Sequence, residues 1–374
     1  MQVENTVNLS SQIQHTMNDS MLELLVDRDS EFAPSIIASV TRPLIFRDAF
    51  SVFNAVVNFD VQSKLDDTSS YDTWLRRNSM ACEIMKRRTR KNQRDDSDEL
   101  KKTLKTFIKE NKRALMPYQK AQKRYLRYLY QQYLKQNYIV NPWFSVHPDE
   151  LFFETFTHSQ RLYCRLSLDI EILENVRKPS YGSAMLRYEG DYHQAIEKIR
   201  AYRQLHIKVK DTKAGPSNLS TRSLPREYIR GLLQLNTAMG LPMQQVRFKI
   251  IDLYNLLVLL EQHTKTDEEA SLRFEFAPNK PVKIVLEPEN KTLICTQTKY
   301  EGDHSITVRH WDRSQLLLLK RVLSVSQHWT FHFSKTTYPV FYVMQMDGAS
   351  LTLGVSCESS KAQYVSPHSA VLDL

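Results

Sequence analysis

Asp169 and Glu171 stand two positions apart in "RLYCRLSLDIEILEN", a stretch in which Leu162, Cys164, Leu166, Leu168, Ile170 and Ile172 alternate with mostly polar residues. In an extended strand that spacing sends both carboxylates to one face, where they can share a divalent cation as two-metal 3′–5′ exonucleases do. No later aspartate accompanies a histidine at the matching spacing, and an exposed polar strand face explains the pair equally well. His328 and His332 have H-x3-H spacing. Residues four apart converge on one metal only in a helix, and "QHWTFHFS" reads as the lead into a strand. Cys164 falls on the apolar side of its strand, where a thiol is a small buried hydrophobe rather than a nucleophile.

Glycine is scarce, with eight residues in 374. No two stand as G-x-G and none precedes Lys-Ser/Thr at P-loop spacing, so phosphate sites of the dinucleotide or Walker type are excluded. A G-x-S-x-G nucleophile elbow is also absent. The four cysteines, Cys82, Cys164, Cys295 and Cys357, lie far apart, without the C-x2-4-C spacing of structural zinc sites. The expectation is a protein without metal, nucleotide or other cofactor, and with no catalytic signature beyond the D-x-E pair.

The remaining chemistry is electrostatic. Between Lys86 and Asn137 stand 17 Lys/Arg and 5 Asp/Glu, a local balance of +12 against +9 for the whole chain, so the basicity belongs to one segment. Lysines and arginines there can neutralise phosphates while its tyrosines stack on bases. The competing reading is a solvated helical arm whose tyrosines pack along its own apolar seam. Tyr118, Tyr125 and Tyr133 fall on that seam. The cluster Lys86, Arg87, Arg88, Arg90, Lys91 and Arg94 precedes the helix and has no seam to serve, so it is the candidate nucleic-acid-binding set.

These residues need elements to position them. Apolar residues at helical steps predict a helix over "RPLIFRDAFSVFNAVVNF", another over "TSSYDTWLRRNSMACEIM", and a long one after the acidic turn Asp95 to Glu99. Pro117 should kink this last helix or fold it into a hairpin of two helices of about 30 Å each. Period 2 then predicts a half-buried strand from Leu162, with "ELFFETF" as its hairpin partner. A helix at Tyr192 to Tyr202 and a strand at "QLHIKVK" follow. Two helices, about Arg226 to Met239 and Pro242 to His263, flank Gly240. Seven strands follow to the end, interrupted by a helix near Asp312 to Leu323. The pair around Gly240 could form a winged helix-turn-helix, but Arg247 and Lys249 make a thin recognition face. No repeat is apparent.

The fold class expected is α+β: a helical N-terminal region with a long basic arm, then mixed and antiparallel sheet modules with packed helices. The divisions are a flexible segment 1–40, a helical region 41–137, an α+β module 138–212, a linker 213–225 rich in Gly, Pro, Ser and Thr, and a helical pair plus β-rich module 226–374. "MLELLV" near the start could dock as a short helix. The N-terminus lacks a basic leader with an apolar core, and the longest apolar runs are far too short for a bilayer, so a reduced, cytoplasmic setting without membrane contact is expected.

Several blocks carry a resemblance: "RPLIFRDAFSVFNAVVN", "VNPWFSVHPDELFFETF" with "RLYCRLSLDI", "YHQAIEKIRAYR", "PVKIVLEPENKTLICTQTKYEG" and "FYVMQMDGASLTLGVS". In order and wording the chain resembles a family of bacterial proteins of unknown activity that commonly carry a SWIM-type zinc finger. That finger needs C-x-C followed by C-x-H, and neither pattern occurs here, so zinc binding is not carried over. The resemblance implies a role in nucleic-acid or protein interaction. The expected function is a non-enzymatic binding or adaptor protein whose basic arm contacts nucleic acid or an acidic protein surface. The alternative is a metal-dependent nucleic-acid-processing enzyme using Asp169 and Glu171.

Overall fold

Alternating burial, rather than length of apolar run, decides the element formed by residues 19–26. In "DSMLELLV" Leu22, Leu24 and Val26 point inward while Met21 is exposed, and the segment lies parallel to "QLHIKVKD", whose Leu205, Ile207 and Val209 are buried in turn. It is a strand, not a docked helix, because period 2 buries more of it than one helical turn could. The structure is a computed structural model describing residues 12–16, 18–26, 34–78, 100–188, 192–211, 226–263, 270–311, 313–334 and 339–356. Within these, the side chains of 12, 100–115, 178, 210, 211, 226 and 227 are excepted. The fold is α+β.

The described chain runs β1 (Gln12–His15), β2 (Asp19–Val26), β3 (Ser35–Val40), α1 (Pro43–Val57), α2 (Phe59–Asp66), α3 (Thr68–Arg77) and α4 (Leu100–Tyr138). It continues through β4 (Trp143–Val146), β5 (Glu150–Phe156), β6 (Leu162–Asp169), β7 (Leu173–Ser180), β8 (Gly182–Met185), the short α5 (His193–Ile196) and β9 (Gln204–Asp211). Then follow α6 (Arg226–Met239), β10 (Gln244–Lys249), α7 (Ile250–Gln262), β11 (Ser271–Phe276), β12 (Pro281–Glu287), β13 (Lys291–Lys299) and β14 (Ile306–Trp311). A 3₁₀ segment (Arg313–Val322), β15 (Ser326–Phe333), β16 (Val340–Met346) and β17 (Ala349–Val355) complete it. Two units separate: residues 58–139, and a body made of 1–57 with 140–374.

Among the described residues the body holds three sheets, in the orders β1-β2-β9-β3-β7, β10-β15-β16-β17-β6-β5-β4-β8 and β13-β12-β11-β14. A repeat invisible in the sequence emerges from these pairings. In each half a strand leads into a helix (β3–α1, β10–α7) and pairs antiparallel with the strand that follows a short helical segment (β9, β15). In each half the first meander strand lies between the second and a returning one, giving β6-β5-β4-β8 and β13-β12-β11-β14. The antiparallel pair β17–β6, from Ala349↔Leu168 to Val355↔Leu162, joins the halves.

Helices cover both faces of the joint sheet. On one, Phe46, Phe50 and Phe53 of α1 surround Phe153 at centroid distances of 6.4, 5.4 and 5.9 Å. On the other, Tyr228, Leu235 and Ala238 of α6 pack on Phe156, Tyr163 and Phe341. Gly231 permits this approach, since a Cβ there would stand 3.0 Å from the Phe156 ring. Strand β6 is therefore buried on both sides for most of its length, Tyr163 and Ser167 included, rather than half-buried.

Other expectations change with the tertiary context. The helix expected over Pro242 to His263 begins only at Ile250, because Val246 and Phe248 alternate with exposed Gln245, Arg247 and Lys249 and pair with β15. A strand thus separates α6 from α7, and no helix-turn-helix forms there. The helix expected at Tyr192 to Tyr202 is only the four residues of α5. The expected flexible segment 1–40 contains three strands, and residues 41–57 belong with the body rather than with the helical region. Among the described residues no helix is long and apolar enough to cross a membrane. The expected linker 213–225 lies outside them.

Gly348, in the two-residue turn between β16 and β17, has φ +74, and an added Cβ would meet Ile172 Cγ2 at 2.0 Å. We expect Gly348→Ala to lower unfolding free energy by about 1–3 kcal/mol in denaturant titration. Gly240→Ala, with nothing nearer than 3.5 Å to the new carbon, should cost far less.

Candidate nucleic-acid interface

Asp169 and Glu171 do not share a strand face. β6 ends at Asp169, Ile170 N–H donates to Asp149 O at 2.9 Å, and residues 170–172 form a 3₁₀ turn that breaks the period-2 register. Asp169 lies opposite Glu150 across the β5–β6 pair. Partial burial, then repulsion from Glu150, Glu171 and Asp149, raises its pKa above the ordinary carboxylate range. Glu150 is held by Arg165, whose guanidinium stacks 4.0 Å over the Phe152 ring. Among the described residues no group of three or more His, Cys, Asp or Glu is arranged to hold a metal ion.

The histidines stay apart as well. His328 and His332 lie on β15, roughly 13 Å apart at strand rise. His328 Nδ1 meets Arg247 Nη2 at 2.9 Å, and burial followed by Arg247 and Lys249 lowers its pKa. Burial alone lowers that of His332. Cys164 is buried, and burial pushes its thiol pKa up, so it packs rather than reacts. Cys295 is pushed up to about 12, by burial first and then by Asp252.

The basic segment divides at the edge of the described residues. Lys86, Arg87, Arg88, Arg90, Lys91 and Arg94 lie outside them, as do Asp95, Asp96, Asp98 and Glu99. α4 is one helix that runs through Pro117, which excludes the hairpin. From Met116 onward its side chains can be read. In the unit 58–139 the buried line is Tyr130 and Leu134, packed with Val61 of α2 and flanked by Leu65, Tyr71, Trp74 and Tyr138. Tyr130 sits 5.1 Å from the Tyr71 ring and 5.3 Å from that of Trp74.

That line is rotated away from the expected seam. Tyr118, Tyr125 and Tyr133 are 54%, 50% and 41% exposed, and Tyr128 is 53% exposed. The period alone could not distinguish the two lines, because tyrosines and leucines occupy both; contact with α2 and α3 chose Tyr130 and Leu134. Tyr118, Ala121, Tyr125 and Tyr128 follow i, i+3, i+7, i+10 spacing and form one exposed stripe. Lys120, Lys123, Arg124 and Arg127, at i, i+3, i+4, i+7, form an adjacent one. All four cations are exposed, and none makes an ion pair with the described residues. From Met116 to Tyr138 there are five Lys/Arg and no Asp or Glu to neutralise them. An aromatic stripe beside such a cationic stripe can stack bases and screen phosphates together.

No family model matches this chain, and no curated protein does. Among solved structures it is similar to a Proliferating Cellular Nuclear Antigen from Entamoeba histolytica. The identity is 5% and the TM-score 0.40, over 60% of this chain and 91% of that one.

The raised pKa of Asp169 has a stability consequence. Its ionised form is disfavoured in the folded state, so its contribution is best below the ordinary value of 3.8 and is lost as pH rises through the raised one. Asp169→Asn should therefore raise the melting temperature at pH 7, with the gain shrinking as pH falls below about 4. An equal gain at both pH values would contradict the electrostatic origin.

Proposed function

We propose that this protein is a non-enzymatic nucleic-acid-binding adaptor that holds its ligand along the basic arm. The observation that carries this is the pairing of stripes on α4: Tyr118, Tyr125 and Tyr128 exposed, with Lys120, Lys123, Arg124 and Arg127 beside them and without a carboxylate partner among the described residues. Exposed tyrosine faces suit bases better than an acidic protein surface, which would need only the charge. Lys86, Arg87, Arg88, Arg90, Lys91 and Arg94 extend the same grip in this reading. The resemblance to the SWIM-bearing bacterial family, in a form without the finger, and a cytoplasmic setting belong to the same proposal. The geometry of the D-x-E pair favours no enzymatic reading, because its two carboxylates fall on different elements.

Binding to a fluorescent single-stranded oligonucleotide should weaken steeply with salt. Neutralising Lys120, Lys123, Arg124 and Arg127 to Gln should flatten the slope by about 0.7 for each phosphate these residues neutralise. Neutralising Lys86, Arg87, Arg88, Arg90 and Lys91 should act in the same direction. Tyr125→Ala should weaken binding by about 1–3 kcal/mol if a base stacks there. Binding that ignores salt and all these changes would refute the arm. Incubation with magnesium or manganese should leave the oligonucleotide intact, and its cleavage would reinstate the enzyme.

A further inference from the structure

The two halves of the body carry equivalent short helical segments, and their cations are used differently. In the second half the 3₁₀ segment carries Lys320 and Arg321 in its last turn. Lys320 is paired with Glu261 of α7, and Arg321 with Glu197 and with Ser51 of α1. In the first half the chain leaving α5 presents Lys198, Arg200 and Arg203 before β9 begins. None of these three forms an ion pair with the described residues. The neighbouring carboxylate, Glu197, is taken by Arg321, which lowers its pKa.

The three cations stand on one stretch of six residues. All lie within electrostatic reach of His15, whose pKa is lowered chiefly by burial and then by Arg203, Lys198 and Arg200, against the raising effect of the hydrogen bond that its ring donates to Ala195 O. His15 is fixed between Ser20 Oγ at 2.9 Å and Ala195 O at 2.8 Å, so β1 and α5 together hold the turn in place. Arg200 caps the carbonyls of Glu197 and Ile199 without giving up its charge. The Nε of Arg203 is buried with no acceptor among the described residues. Beside it Tyr202 is 76% exposed, with the Arg203 guanidinium 5.6 Å from its ring centroid.

Apart from the Arg203 guanidinium beside it, this tyrosine is open to solvent. Set among three unneutralised cations on an anchored turn, it offers a flat face for a base with phosphate partners on either side. We infer that the turn Lys198–Arg203 is a second nucleic-acid contact, on the body rather than the arm, taking a single-stranded segment with one base on Tyr202 and its flanking phosphates on Lys198, Arg200 and Arg203. This rests on the nucleic-acid reading above for its ligand class, and on separate residues for its geometry. An acidic protein segment would engage the same cations but would make no demand on Tyr202.

The full-length protein is titrated with a fluorescent single-stranded oligonucleotide over a salt series. The variants are Lys198→Gln/Arg200→Gln/Arg203→Gln and, separately, Tyr202→Ala. The triple variant should lower the salt slope by up to about 2, at about 0.7 per phosphate on a single strand. Tyr202→Ala should weaken binding about fivefold or more while leaving the slope unchanged. Because Arg203 is half-buried, Lys198→Gln/Arg200→Gln serves as the folded control, with melting temperature measured for each variant. If both sets bind as wild type while neutralising Lys120, Lys123, Arg124 and Arg127 abolishes binding, the body contact is refuted and the arm stands. If the arm variant is unaffected and the turn variants bind more weakly, the arm is refuted and the body contact stands. If poly-glutamate binds with the same dependence on the three cations and Tyr202→Ala changes nothing with either ligand, the surface is a protein contact and the inference is overturned.

Discussion

The antiparallel zip of β17 onto β6 is the constraint on which the body depends. Seven residue pairs, from Ala349↔Leu168 to Val355↔Leu162, join the last strand of one half to the meander of the other. Without it the body has two separate sheet edges, each offering unpaired backbone groups. With it a single eight-stranded sheet has two faces to cover, and α1 and α6 cover them. The doubly buried strand β6, the Gly231 approach and the Phe153 cluster all belong to the centre of this sheet, which is covered on both sides. Gly354, beside Phe341 and Tyr163, marks the same demand, because an added Cβ would stand 2.8 Å from the Phe341 ring.

The repeated order of the two halves gives each the same scaffold but a different electrostatic finish. In the second half, cations at the end of the short helical segment are tied to Glu261 and Glu197. In the first they stand without carboxylate partners among the described residues, around an anchored histidine and an open tyrosine. Exposed ion pairs contribute little to stability, so pairing or not pairing these residues costs the fold little. The difference matters instead for what the surface can attract. The same logic separates the two faces of α4: Tyr130 is spent on Trp74 and Tyr71, while Tyr118, Tyr125 and Tyr128 face outward.

The acidic end of the β5–β6 hairpin shows why residue spacing is not yet a site. A D-x-E pair has meaning only if the strand continues through both residues, and here it stops at the first. The 3₁₀ turn that follows sends Ile172 into the body as a buried residue facing the Gly348 turn. Burial of one isoleucine thus outweighs the alignment of two carboxylates.

The sequence by itself determined most elements, because local period and propensity are local properties. α1, the β5–β6 hairpin, β9 and the strands from β11 to β17 all stand where their apolar spacing puts them. It also located the basic arm, since charge density needs no fold to be read. Tertiary structure decided what local pattern leaves degenerate. "MLELLV" and "QQVRFK" became strands because β9 and β15 offered them backbone partners. Tyr130 rather than Tyr125 was buried because α2 and α3 met that side of α4. The repeat of the two halves exists only as a relation between residues distant in the chain, and hydrogen-bond register and charge pairing are settled only when those residues meet.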